Sequence, residues 1–302
     1  MDDEPDFDDL AERCDLLRLV LSDRRTALGD DHPEVAEIED ELMDALLDLE
    51  ATIEAVPLVE RHLARARTRG GDLDARDAIL EVMLPTLLSE VGRVDEACRG
   101  QRSLVGRLIR AKGPVHVDTL DAEASLARLL FISGDTVGAR FLEERLLVLS
   151  DRHLGADHPE TLFVAELLAE SRTAMGDLAG ARALNERVVE ACLRVFGPDH
   201  PDTFGAMSDL AATLFDLGDH RGARELEEEV YAGLERFSGP DDPETLVAAY
   251  ALSKTLWELG ERDRARAMLR EALSGMRDEL GPDDETTRAA ISDLAQWEHA
   301  DG

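Results

Sequence analysis

The chain has 302 residues, of which 44% are hydrophobic but only 4% aromatic, and 67 Asp and Glu against 33 Lys and Arg give a formal net charge of −34. That balance argues against a nucleic-acid partner held through its phosphates and against an anionic membrane surface, both of which recruit concentrated Lys and Arg. It favours a basic partner, by an attraction that salt weakens. With so few aromatics the core has to be built from Leu, Ala and Val, which is helix-forming material, and no long stretch alternates with period two. No apolar run is long enough to cross a bilayer, and the N-terminus MDDEPDFDDLAERC is acidic where a signal peptide is basic and then apolar. Cys14, Cys98 and Cys192 form no CxxC pair, so neither a disulfide framework nor a zinc site is expected, and the expected location is cytoplasmic. Lysine is nearly absent (Lys112 and Lys254), a bias that accompanies a high-GC or salt-loving prokaryote.

Taken in chain order, one short string keeps returning. LGDDHPEVA begins at Leu28, LGADHPETL at Leu154, FGPDHPDTF at Phe196, SGPDDPETL at Ser238 and LGPDDETTR at Leu280. Their glycines, together with Gly71 and Gly113, fall at a strict period of 42 residues: Gly29, Gly71, Gly113, Gly155, Gly197, Gly239 and Gly281. Such a period marks an array of one structural unit. An Asp-His-Pro-Asp string read alone suggests ligands or a proton relay, but its repetition makes it a hinge between units. His158 and His200 occupy equivalent positions of adjacent units, too far apart to share a metal whose ligands lie within about 2 Å.

The unit from Asp157 to Gly197 shows the expected layout. Asp157 is expected to cap a first helix, with Glu160 reaching back to complete a capping box and Pro159 in the first turn, giving a helix over Leu162 to Met175. Gly176 breaks it, and a second helix over Leu178 to Phe196 ends at Gly197, a residue free to adopt the left-handed conformation that closes a helix. Three further columns keep the same spacing. Leucine stands at 42, 84, 126, 168, 210, 252 and 294, and alanine at 55, 97, 139, 181, 223 and 265. Glycine stands at 92, 134, 176, 218 and 260, with Glu50 the exception. Leucine knobs facing alanines let two antiparallel helices approach closely.

The string LLAESRTAMGDLAGA resembles a tetratricopeptide repeat. The 42-residue length and the GPDHP linker resemble the longer variety found in kinesin light chains and in many bacterial regulators. The resemblance implies an all-α fold, a right-handed α-α superhelix over 1–302. Residues 1–28 form an N-terminal capping half repeat with a helix near Asp9 to Leu28, residues 29–283 form six helix pairs, and residues 284–302 form a closing helix near Asp284 to Glu298 and a tail. Pro85 is expected to kink or break the first helix of the second pair, where RGGDLDARD also replaces the usual linker. At the positions where the kinesin light chain groove carries asparagines this chain has Glu41, Met83, Ser125, Leu167, Asp209 and Ala251, so cargo recognition of that type is not carried over.

The resemblance further implies a protein-interaction scaffold or adaptor whose first helices line a concave groove for a peptide or protein. Laid on this sequence, it puts Glu37, Asp40, Asp44 and Asp48 on one face of the first pair, a negative stripe suited to a cationic peptide or, equally, a solvated surface. Arg128 is the central positive groove residue. Phe163, Phe215, Tyr250, Lys254 and Trp257 follow toward the C-terminus, the last three on one helical face, as an anchor for a partner or as packing against the closing helix. Other readings are a stand-alone regulatory sensor that flexes on ligand binding and a homo-oligomer. The pairs Arg140 with Glu144, Arg182 with Glu186 and Arg224 with Glu228 are read as surface support for the second helices. No GxxxxGK[ST], GxGxxG, HExxH or GxSxG occurs, so neither an enzyme nor a cofactor or metal site is expected.

Overall fold

In the computed structural model, which describes residues 7–69 and 74–299, the periodic sequence becomes fourteen helices, with no strand among the described residues. They are α1 (Phe7–Leu28), α2 (Pro33–Asp48), α3 (Thr52–Arg69), α4 (Ala75–Glu90), α5 (Val94–Lys112), α6 (Val117–Ile132) and α7 (Thr136–His153). After them come α8 (Pro159–Ala174), α9 (Leu178–Val195), α10 (Pro201–Asp216), α11 (His220–Phe237), α12 (Pro243–Glu258), α13 (Arg262–Glu279) and α14 (Glu285–His299). The chain divides into two compact units at Asp135 and Thr136. Within the first, α1 to α6 pack each on the next; within the second, α7 to α14 do the same, and α10 also touches α12. This neighbour-only packing is what a repeat solenoid requires. The expected position of Gly71 lies outside the described residues.

The glycine hinges behave as the sequence demands. Gly155, Gly197 and Gly239 have φ of 105°, 90° and 101°, which side-chain-bearing residues rarely adopt, and each closes a second helix. At the turn inside each pair the five glycines have φ between 77° and 87°, and Glu50 adopts the same left-handed conformation with φ 54° despite its side chain. The alanine column is completely buried, at 0% exposure for Ala55, Ala97, Ala139, Ala181, Ala223 and Ala265. Leu42, Leu126, Leu168, Leu210 and Leu252 are buried as well, while Leu84 and Leu294 are half-buried.

The structure changes two expectations. The cap of α8 is His158, whose Nδ1 accepts from the Glu160 amide at 3.2 Å; Asp157 instead pairs with Arg194 at 2.7 Å. His32, His116 and His200 cap α2, α6 and α10 in the same way, and Asp242 takes the role at α12. A His or Asp side chain directly before the first helical residue is one position closer to the free amides than Asp157 is, so it reaches them first. Pro85 does not break its helix: α4 runs through it, and its ring faces Gly100 of α5, where an added side-chain carbon would lie 3.7 Å away. Pro57, likewise, sits inside an unbroken α3.

A further column at the same period shows its purpose in three dimensions. Thr119, Thr161, Thr203, Thr245 and Thr287 are all fully buried in the first turn of their helices. The hydroxyls of Thr119 and Thr203 donate to the carbonyls of Gly113 and Gly197 at 2.8 and 2.7 Å. Each of these two bonds satisfies a carbonyl left without a helical partner and ties the start of one helix to the end of the one before.

Candidate functional site

The second unit contains an open groove of about 720 Å³. Its walls come from the first helices α8, α10 and α12, with contributions from the ends of α9 and α11. The 42-residue period puts equivalent residues side by side along it: Phe163, Gly205 and Val247 form one row, and Asp202 and Glu244, both in a first helical turn, form another. Phe204, the residue before Gly205, is buried against the core. The lining is mainly apolar, and its charged members are Glu166, Asp202, Asp209 and Glu244, all carboxylates.

Two of those carboxylates, Glu166 and Asp209, hold their protons more tightly than usual. Burial pushes the Glu166 carboxyl up to about 7, and the charges of Asp209 and Asp202 push the same way. Asp209 is raised by desolvation and by the charge of Glu170. Cys192, buried on α9 at the back of the groove, has its thiol pushed up to about 11 by burial and then by Glu166 and Asp202, so it stays an inert thiol at neutral pH.

Phe163 lies in this groove. Phe215 and Lys254 line a smaller recess of about 140 Å³ beside it with Asp216 and Glu227, and the Lys254 ammonium sits 5.3 Å from the Phe215 ring and 5.6 Å from the Tyr250 ring. Tyr250 is buried, and its hydroxyl donates to Asp293 of α14 at 2.7 Å. Trp257 stacks on Trp297 of α14 with ring centroids 4.6 Å apart and planes 6° from parallel, and the Arg262 guanidinium lies 5.2 Å from the Trp257 ring centre. The closing helix thus engages both large aromatics internally.

In the first unit, Asp40 accepts from Arg65 at 2.8 Å and faces His62 at 2.9 Å, and Asp44 pairs with Arg76 at 2.6 Å. Half of the acidic stripe therefore carries its own cations, while Glu37 and Asp48 are exposed. Arg128 is exposed on α6. Sequence reasoning missed Glu39, which is only 3% exposed and is held by Arg25 at 2.5 Å, by Arg61 at 3.2 Å and by Arg65. Burial alone would raise its carboxyl; the hydrogen bonds from Arg65 and Arg25 and the charge of Arg61 outweigh that and hold it below the usual range. It also missed Glu166, Gly205 and Val247, whose signal was the row Phe163, Gly205, Val247 read across repeats rather than along one helix.

Helix pairs at a strict period, each packed only on its neighbours, define an α-α repeat protein. Residues 160–236 match one tetratricopeptide-repeat family model, and residues 6–34 and 245–285 match another. Among solved structures, a putative kinesin light chain from Podosopora anserina with nearly identical TPR-like repeats is 22% identical, with a TM-score of 0.59 over 72% of this chain and 97% of that one. A tetratricopeptide repeat protein from Parabacteroides merdae is 14% identical, with a TM-score of 0.60 over 94% and 93%. BtubC (BKLC) from P. vanneervenii is 15% identical, with a TM-score of 0.50 over 90% and 92%. At these identities the likeness is one of fold. No curated protein matches the chain. The chain is a tetratricopeptide-repeat protein, with repeats like those of kinesin light chains. Such folds generally serve as protein-interaction scaffolds, and no helix of the described residues is long and apolar enough to cross a membrane.

Proposed function

We propose that the protein is a non-enzymatic binding module that holds a peptide or an extended segment of a partner protein along the first helices of its second unit. The observation that supports this is the groove itself: about 720 Å³ of mainly apolar, open surface on three successive first helices, at the edge of a well-packed core. Exposed apolar concavities of this kind on a protein surface mark binding sites. Tyr250 and Trp257 act in this reading as the seal of the C-terminal end, and Phe163 and Val247 as the apolar walls.

A photo-crosslinking residue placed at exposed Ser208 on the groove, and separately at exposed Arg221 on α11, tests the site. A partner captured from position 208, not from 221, and displaced by an excess of uncrosslinkable protein supports the groove. Equal capture from both positions would move binding off it.

A further inference from the structure

Three glycines lie inside helices of the second unit in positions that invite comparison. At Gly233 an added side-chain carbon would collide with the ring of Phe204, and at Gly275 it would come within 2.8 Å of a Leu246 methyl carbon, so close helix packing explains both. At Gly205 it would meet nothing within 4 Å. A glycine inside a helix costs roughly 1 kcal/mol relative to alanine, and no contact within this chain accounts for that cost. The position is exposed in the middle of the groove floor, between Phe163 on one side and Val247 on the other. Glu166 on α8 and Asp209, one turn after Gly205 on α10, border the same hollow, and Asp202 and Glu244 lie toward its end.

We infer that the hollow at Gly205 is the seat for a cationic side chain of a bound peptide, an arginine or lysine with apolar residues beside it. The apolar stem would lie over the bare helix backbone between Phe163 and Val247, and the charged head would reach Glu166 and Asp209. This rests on the groove being the binding site, and it adds what occupies it. Charge complementarity selects the occupant. Among the described residues the groove lining presents four carboxylates and no basic side chain, three of the carboxylates exposed and Glu166 half-buried, so an acidic peptide would be repelled and a cationic one drawn in. Burial first, and then the charges of Asp209 and Asp202, raise the proton affinity of Glu166, and a cation seated beside it would relieve the second of these. Long side chains such as arginine readily lay an apolar stem on a surface while keeping the head polar.

The test uses random dodecapeptides displayed on phage, panned on the full chain in near-physiological salt, with selected peptides titrated against the wild type, Gly205→Leu, and Glu166→Gln with Asp209→Asn. Filling the hollow with leucine should leave the fold intact, because the site is open and a better helix former replaces glycine. Thermal unfolding checks this, with a midpoint at or above the wild type. The expected result is enrichment of Arg or Lys flanked by apolar residues, an affinity loss of tenfold or more with Gly205→Leu, and a comparable loss with the double charge substitution. Neutral or acidic peptides that Gly205→Leu still blocks would overturn the cation seat while leaving the groove as the site. Basic peptides that bind wild type and Gly205→Leu equally would show attraction to the acidic surface in general and overturn both, as would the absence of any selected peptide.

Discussion

Replacing Glu50 by glycine should stabilise the first unit. Glu50 occupies the turn between α2 and α3 where the five equivalent turns use glycine, and its φ of 54° puts a side-chain-bearing residue in the left-handed region. That conformation costs a residue with a Cβ roughly 1–2 kcal/mol. Glycine removes the strain but returns part of it, roughly 0.5–1 kcal/mol, as extra unfolded-chain freedom. The turn needs no rearrangement: the amides of Glu50 and Ala51 already bond the carbonyls of Leu47 and Leu46 at 3.1 and 2.9 Å, the pattern Gly92 and Arg93 make with Ser89 and Leu88. The Glu50 side chain is exposed. The net gain should be about 1 kcal/mol, a rise in midpoint of about 3–5 °C for a unit of this size. Urea unfolding followed by circular dichroism, with amide exchange at α2 and α3 as the local probe, measures it. Glu50→Ala serves as the control, since it removes the charge and keeps the strain. If glycine and alanine give the same stability, backbone strain is not what distinguishes this turn.

Other outcomes follow from the buried acids. Glu39→Gln strips the charge that three arginines share, and should cost the first unit roughly 3 kcal/mol or more at neutral pH. Because the native carboxyl titrates low, this contribution is present above the ordinary carboxylate range and disappears as pH falls through the native value, so wild type and variant should converge in acid. Glu143 behaves oppositely. It is 1% exposed; burial pushes its carboxyl up to about 7, helped by Glu170 and Glu144 and opposed by Ser171. Its stability contribution is complete below about pH 4.5 and lost as pH rises through 7, so Glu143→Gln should raise stability at pH 8 by up to roughly 3 kcal/mol and do little at pH 5, read from unfolding at the two pH values. An equal effect at both would refute the assignment. For an arginine-bearing peptide in the groove, affinity should climb between about pH 6 and 8 as Glu166 ionises beside Asp209 and Asp202, with proton release detectable by calorimetry in buffers of different ionisation enthalpy. Affinity independent of pH would remove Glu166 from the contact.

Helix placement was legible because the glycine and alanine columns report local constraints, a positive φ and a close helix approach, that only those residues satisfy cheaply. The predicted helix from Leu178 ends within one residue of the observed α9, and the closing helix begins within one residue of Glu285. Capping was less legible, since Asp-His-Pro offers two acceptors and only three-dimensional reach chooses His158. The engagement of Trp257 by Trp297 escaped because Trp297 belongs to no column; its repeat equivalents at 213 and 255 are threonines. Gly205 escaped for the reverse reason. A glycine in a helix reads as a defect along the sequence, and gains meaning only when its neighbours in space are known to leave it uncovered.

The buried-column threonine near a helix start stands at a fixed distance from the preceding glycine, so these joints share one register. Thr203 lies six residues after Gly197, and Thr245 six after Gly239. Excising the 42 residues from Pro198 to Gly239 would set Pro240 directly after Gly197 and bring Thr245 to the place from which Thr203 reaches the Gly197 carbonyl. The joint would keep its register while the helix bearing Gly205 vanished. A solenoid with this register offers shortening by whole modules at its linkers, so the groove lining can be edited by splicing as well as by substitution.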